Sequence, residues 1–339
     1  MERYSRQILF TPIGEQGQRN MREKHVLVIG AGALGTGNAE ALVRAGIGKL
    51  SIVDRDYVEW SNLQRQQLYS EEDAEAKLPK AMAAKSRLAA INSEVIIEAH
   101  VLDATPDVME QLADGVDLII DATDNFDIRF IINDIAHKYN IPWIYGACVG
   151  SYGLSYTIIP GETPCLQCLL KAMPLGGATC DTVGIISPAV QMVVAHQVSE
   201  AMKLLTGDKD ALRNKLVSFD LWKNQYVALN VSAMKSIDCH TCGETPTYPY
   251  LDFENQTKTA VLCGRDTVQI RPARAVQRNL EEVEKVLASQ NVKVEQNPFL
   301  LSCELEGHRI VLFQDGRALV HGTKEIAKAK TLYHRYFGG

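Results

Sequence analysis

The chain has 339 residues, 46% of them hydrophobic, and a formal net charge of −6. That length suffices for one large core and a second small one, and the negative balance argues against a nucleic-acid surface. No apolar run reaches the roughly 18 residues that span a bilayer, and the polar opening MERYSRQILFTPIGEQGQRN lacks the layout of a signal peptide, so a cytoplasmic protein that does not engage membranes is expected.

In chain order, HVLVI (25–29) reads as a strand, and LGTGNAEALVRAGI carries apolar residues at helical spacing after a glycine-rich turn. KLSIVD is a second strand, AMAAKSRLAAIN a helix and EVIIEAHV a third strand. DLIIDAT (117–123), a helix through FIINDIAHKY, and PWIYGACV extend the series. Continuous apolar strands alternating with helices predict a Rossmann-like α/β fold, a mostly parallel sheet covered by helices on both faces. GLSYTIIP and KLVSFDLWKNQYVALNV read as an antiparallel extension, the latter a hairpin turning near Lys223–Asn224. Between them SPAVQMVVAHQVSEAMKLL is a long, largely buried helix. The division expected is a nucleotide-binding domain over 1–248, a polar, proline-containing linker over 249–258, and a small α+β module over 259–339 with two or three strands and two helices.

Gly30-Ala31-Gly32-Ala33-Leu34-Gly35 follows the first strand and opens a helix. Glycines there permit a tight turn and close backbone approach, so a phosphate can sit at the positive helix N-terminus. Asp54 ends the second strand, where a carboxylate can hydrogen-bond ribose hydroxyls. This fingerprint alone does not separate a dinucleotide from ATP. The run Ser61-Asn62-Leu63-Gln64-Arg65 lies just beyond the second strand, Lys80 follows Pro79 at a helix start, and Asp124-Asn125 follow the fourth strand. All lie at carboxyl ends of strands, where open α/β sheets bind ligands. Two cations and an acid in that crevice suit a triphosphate with a divalent ion and are surplus for hydride transfer.

Eight cysteines include two CxxC pairs, Cys165/Cys168 and Cys239/Cys242. Four sulfurs satisfy tetrahedral Zn²⁺ and leave no open position, so a structural zinc clip is predicted. His240 is read as a bystander. Cys180, in the small-residue stretch GGATCDTVG, is a candidate thiol nucleophile. Cys148, Cys263 and Cys303 sit in strand-like runs and read as packing residues.

RYSRQI (3–8), GAGALG (30–35), SNLQRQ (61–66), LPKA (78–81), DATDN (121–125), CLQC (165–168), TCDTVG (179–184) and CHTC (239–242) occur in that order. Together they resemble the ThiF/MoeB/HesA family, bacterial relatives of ubiquitin-activating enzymes, over residues 1 to about 248. The resemblance implies a homodimeric adenylyltransferase that uses Mg·ATP to activate the terminal glycine of a ubiquitin-like sulfur carrier. Asp54 would hold the ribose, Asn62, Arg65 and Lys80 the phosphates, and Asp124 the Mg²⁺. Arg6 would reach the phosphates of the partner subunit, since its segment contains little to hold it on its own domain. Cys180 would link covalently to the carrier or pass on sulfur, with a cysteine desulfurase or another donor as supplier. Ala33 departs from the glycine of many relatives, a change small enough to matter little.

Such chemistry needs no general base, because a C-terminal carboxylate with a pKa of about 3.5 is already ionised. Its obstacle is anion against anion, which preorganised cations and a metal relieve. The family serves both thiamine thiazole and molybdopterin synthesis; the thiamine carrier is the expectation, with the molybdopterin synthase small subunit as alternative. Two other classes stay open. An NAD-dependent oxidoreductase would need a hydride-transfer acid and a substrate domain, neither of which is found. A non-catalytic nucleotide- or zinc-binding scaffold would tolerate loss of the crevice charges, yet all are present. The chain ends Gly338-Gly339 as ubiquitin-like carriers do, but KEIAKAKTLYHRYF reads as a helix running up to them, where a carrier tail is extended.

Overall fold

The computed structural model describes residues 2–172, 183–252, 259–262, 266–271, 277–290 and 292–337. Cys180, Cys263 and Gly338-Gly339 fall outside them. The chain divides into two compact units, one built from the first 255 residues except a short segment near 180, the other from 256 onward.

The first unit opens with a helical turn α1 (Ser5–Ile8) and α2 (Gly14–Arg22). Then come β1 (His25–Ile29), α3 (Ala33–Ala45), β2 (Lys49–Val53), α4 (Glu71–Glu75), α5 (Lys80–Ile91) and β3 (Ile96–His100). After α6 (Pro106–Leu112) follow β4 (Leu118–Asp121), α7 (Phe126–Lys138), β5 (Trp143–Val149), β6 (Tyr152–Ile158) and α8 (Leu166–Ala172). The long helix α9 (Ser187–Thr206) and the hairpin β7 (Leu216–Asp220) and β8 (Gln225–Leu229) complete the unit's regular structure. The eight strands form one sheet in the order β3-β2-β1-β4-β5-β6-β7-β8. Pairing is parallel from β3 to β5 and antiparallel from β5 to β8, the extension expected from sequence.

Alternation along β1 shows why the sheet needs two layers of helices. Val26 and Val28 pack with α3, α5 and α9 on one face, while Leu27 and Ile29 pack with α6 and α7 on the other. All four are 1% exposed or less. Chain order reverses between β1 and β4, so the loops after these neighbours diverge and open a crevice at their carboxyl ends. The helices α3 and α9 approach closely at Gly37, where a Cβ would press on Val194. Asn38 donates to Gln197 (2.7 Å), and Gln197 in turn donates to the Asp121 carbonyl (2.8 Å), which seals that face beneath the crevice.

Two expectations change here. The segment expected as linker begins as a 3₁₀ turn, Pro249–Leu251, with Tyr250 stacked on Phe130 of α7 at 4.3 Å between ring centres. Among the described residues the second unit carries six strands, not two or three: β9 (Thr259–Leu262), β10 (Thr267–Ile270), β11 (Val294–Gln296), β12 (Leu300–Leu305), β13 (His308–Phe313) and β14 (Ala318–His321). They form an antiparallel sheet in the order β11-β12-β13-β14-β10-β9, with α10 (Leu280–Ser289) and α11 (Ile326–Phe337) supplying Leu287, Leu332 and Phe337 to its core. Runs of three to six residues are too short to show a clear period of two. The helix α11 runs to Phe337, as its apolar spacing predicts.

Candidate functional site

The glycine turn is forced by close packing. Gly30 has φ +97°, and a Cβ there would overlap the Ala122 carbonyl; a Cβ on Gly35 would overlap the Gly30 carbonyl. The turn therefore sits directly against the loop after β4. Gly32 is the N-cap of α3 and has no side chain to satisfy the first helical N–H groups. A Cβ at Gly32 would have only Gln66 Nε2 nearby, at 4.0 Å, so the space in front of that helix terminus is open. This opening at a positive helix end fits a phosphate.

Asp54 stands at the end of β2 and accepts from Ala31 N–H (2.6 Å) and Asp56 N–H (2.7 Å). Burial pushes its carboxyl above the usual range, and the Lys80 charge opposes that rise. Asn62 is fully buried, its Oδ1 capped by Glu59 N–H (3.0 Å), while its Nδ2 has no partner among the described residues. A buried, orphaned donor on the crevice side of the sheet is the kind of group a ligand oxygen satisfies. Arg65 reaches the Ser61 carbonyl (2.8 Å) and has no carboxylate partner among the described residues. Ser61 and Gln64 are exposed, and Leu63 packs at the edge of the core. Lys80 begins α5 with its side chain 5% exposed and Nζ 3.6 Å from Asp56. Asp124 is exposed, and no hydrogen bond or ion pair to it is seen among the described residues. Asn125 accepts from Ile128 N–H (3.0 Å) and so caps α7. Ala33 is the first residue of α3, at the rim of the core.

The floor under Asp124 was not foreseen. Arg129 and the fully buried Asp121 form an ion pair at 3.0 Å, and Arg129 Nη2 donates to the Thr123 carbonyl (2.6 Å). The pair ties the Asp124 loop to α7, and its only trace in the sequence is an Arg eight residues after an Asp.

Arg6 is exposed on α1, and its surroundings correct one expectation. The N-terminal segment is well held on its own domain: Tyr4 is 3% exposed, its ring fills the space over Gly46, and its hydroxyl accepts from Asn92 Nδ2 (2.8 Å). Gln7 donates to the Ala45 carbonyl (2.9 Å) and Arg3 to the Ile91 carbonyl (3.1 Å). Ala45, Gly46 and Ile91 are the carboxyl ends of α3 and α5, whose amino ends carry the glycine turn and Lys80. Thirteen helical residues at about 1.5 Å each put roughly 20 Å between Arg6's anchor and its own crevice.

The four cysteines converge. The Sγ atoms of Cys165, Cys168, Cys239 and Cys242 all lie within 4.8 Å of one another, with Cys165–Cys239 and Cys168–Cys242 at 3.5 Å. Those separations exclude S–S bonds and match the edge of about 3.8 Å that follows from tetrahedral Zn–S bonds of about 2.3 Å. Hydrogen bonds from Cys165 and Cys242 favour the thiolate at Cys168, the form in which a cysteine binds a metal. Residues 133 and 134 of α7 hold the two knuckles: Asn133 Oδ1 accepts from Leu166 N–H (2.9 Å), and Asp134 accepts from Thr241 Oγ1 (2.6 Å) and Tyr250 N–H (2.8 Å). His240 is not in the cluster. Cys303 is buried in β12, which pushes its thiol up to about 11 and suits a packing residue; Cys148 is half-buried in β5.

The glycine turn, the crevice charges and the four-cysteine cluster, set on an α/β sheet, are the features in which the sequence resembles the activating enzymes. The model of the ThiF family matches residues 4–241, and the chain belongs to that family. It is 54% identical to the sulfur carrier protein ThiS adenylyltransferase of Bacillus subtilis over 336 residues, 99% of each chain. It is 33% identical to the molybdopterin-synthase adenylyltransferase of Salmonella typhimurium, covering 72% of this chain and 97% of that one. Among solved structures, E. coli MccB with ATP shares the fold, with a TM-score of 0.61 at 22% identity over 72% of this chain and 75% of that one. No helix among the described residues is long and apolar enough to cross a membrane.

Proposed function

We propose that this chain adenylates the C-terminal glycine carboxylate of a ubiquitin-like sulfur carrier with ATP, and that its carrier is of the ThiS type. The observation that carries the choice is the span of the likeness. The Bacillus subtilis ThiS adenylyltransferase matches along the whole chain, second unit included, whereas nearly all of the Salmonella enzyme is used up on 72% of it.

In the reaction, a carboxylate oxygen attacks the α-phosphorus, the bond from that phosphorus to the bridging oxygen breaks, and pyrophosphate leaves. No proton moves. Asp54 holds the ribose while bracing the glycine turn. Gly32 and Ala33 bring backbone N–H groups to the phosphates, Gly30, whose own N–H is bonded to the Val53 carbonyl, and Gly35 let the turn close beneath them, and Asn62 Nδ2 donates to the nucleotide. Arg65 and Lys80 offset charge on the phosphate chain. Lys80 must then leave Asp56, an exchange that its 3.6 Å separation makes easy. The exposed carboxylate of Asp124 is a fitting single protein ligand for a Mg²⁺ that otherwise takes phosphate oxygens. That ion, when bound, screens the charge between the two reacting anions. Arg6, anchored at the far end of α3 and α5, serves the crevice of a second copy, so the working enzyme is a homodimer. The four cysteines hold one structural Zn²⁺. Cys180 acts after adenylation, in carrier linkage or sulfur transfer from a donor such as a cysteine desulfurase.

ATP–pyrophosphate exchange measured with each purified carrier tests the reading. Exchange that requires the ThiS-type carrier supports it. Exchange with the molybdopterin synthase small subunit alone overturns the carrier, and none with any carrier overturns the reaction.

A further inference from the structure

Five residues around the glycine turn form a closed ring of hydrogen bonds. Ala31 N–H donates to Asp54 Oδ2 (2.6 Å), and Asp54 Oδ1 accepts from Asp56 N–H (2.7 Å). The Asp56 carbonyl accepts from Lys80 N–H (2.9 Å). The ring closes through Tyr69, whose hydroxyl shares its single proton in a bifurcated bond between the Ala31 carbonyl (2.6 Å) and the Lys80 carbonyl (3.2 Å). Tyr69 thus bridges the glycine turn and the start of α5 directly. Flanking bonds make the frame stiff: Tyr57 pairs with Pro79, and Val58 N–H donates to the Leu78 carbonyl (2.8 Å).

We propose that Tyr69 is a positioning residue that fixes the glycine turn and Lys80 at the spacing a nucleotide triphosphate requires. It touches neither substrate nor metal. The two backbone carbonyls that it joins belong to the glycine turn and to Lys80, both of which serve the phosphate chain in the proposed function, on which this inference rests. A single hydroxyl is well suited to the task. The ring is 8% exposed and cannot swing away, and burial, with Asp54 adding to it, raises the phenol well above its usual range, so the group stays a donor at any working pH. Both carbonyls sit where water is scarce, so the contact is not readily replaced by solvent. A shift of about 1 Å in a positioning element can cost on the order of 10²-fold in rate.

The test is direct nucleotide binding by calorimetry on the full chain with metal, comparing ATP with AMP, which lacks the β- and γ-phosphates. Tyr69→Phe should weaken ATP about tenfold while AMP changes less than about twofold, and the melting temperature and zinc content should stay near those of the parent. In a Lys80→Ala background the same change should weaken ATP by less than about twofold, because the lysine it places is gone. With 4-aminophenylalanine at position 69, which keeps an N–H donor on the same ring, the ATP-to-AMP ratio should return to within about twofold of the parent. Equal weakening of ATP and AMP, additive effects with Lys80→Ala, or no recovery with the amino analogue would each overturn the inference. If Tyr69→Phe does not fold, the amino analogue alone decides: a tenfold loss of ATP preference there sinks the idea. Failure of the parent protein to bind ATP is a different result, and it strikes the proposed function instead.

Discussion

The nucleotide crevice and the four-cysteine clip are both organised by α7, yet they are built in opposite ways. At the crevice, two polar groups are held ready with no hydrogen bond to satisfy them: Asn62 Nδ2 is buried and orphaned, and Asp124 is exposed with no hydrogen bond or ion pair among the described residues. At the clip the groups next to the cysteines are fixed through their oxygens, Asn133 Oδ1 and Asp134 being tied to one knuckle each, although Asn133 Nδ2 is itself without a partner among the described residues. A site that must exchange ligands keeps its groups unspent, whereas a site that must never open surrounds its ligands with fixed partners. Damage should therefore separate cleanly, as lost activity at one place and lost stability at the other.

The sharpest break in that comparison comes from Asp124→Ala. Pyrophosphate exchange should fall by about 10²- to 10³-fold, as for loss of one preorganised electrostatic group, while the melting temperature moves by less than about 2 °C. A variant that melts far lower would show the loop to be structural. Cys168→Ser should behave in reverse. Metal content should drop from about one zinc per chain towards zero, and the melting temperature should fall by about 10 °C, since structural zinc contributes folding energy outright. Activity per folded molecule should change far less; unchanged melting without metal would remove the structural role. A third test asks whether the crevice is complete in one chain. Mixing Arg6→Ala with Asp124→Ala should restore up to about a quarter of parental activity after random exchange. Half of the dimers are mixed, and each has one intact site of two. No recovery despite proven exchange would place Arg6 in its own chain's site.

The smallest effect concerns Asp134. Burial raises its carboxyl to about 6, against about 3.9 in an unfolded chain. The folded state therefore holds a proton that the unfolded state has lost between those values, and this group's contribution to stability declines as pH rises towards 7. Asp134→Asn has no such proton. The parent's advantage in melting temperature over the variant should shrink by a few degrees between pH 5 and pH 7; a constant or growing gap would show that Asp134 is ionised throughout.

How much of this was legible in the sequence depended on the range of the interaction. HVLVI and DLIID announce buried parallel strands because every residue is apolar, and the glycine turn, Lys80 and the CxxC pairs are local patterns. Tyr69, Arg129, Asn133 and Asp134 carry no local pattern, since each acts on an element brought to it by the fold. Tyr4 and Gln7 looked unremarkable in a polar opening, yet they fasten that opening to the ends of two helices that start about 30 and 75 residues later. In the second unit the strands were too short and too mixed for periodicity to find, although both helices were visible.

The clip also has a place in time. Its knuckles are 74 residues apart, with a twenty-residue helix and a hairpin between them. While the chain is being synthesised, the first pair of thiols must wait through all of that before the second pair exists. If the clip takes a metal that demands four thiolates, two cannot keep it, and its capture would require that the chain has been made at least to Cys242 and has folded back. A chain that stops short of Cys239 would be left with the Cys165 and Cys168 thiols and no second pair to complete the cluster.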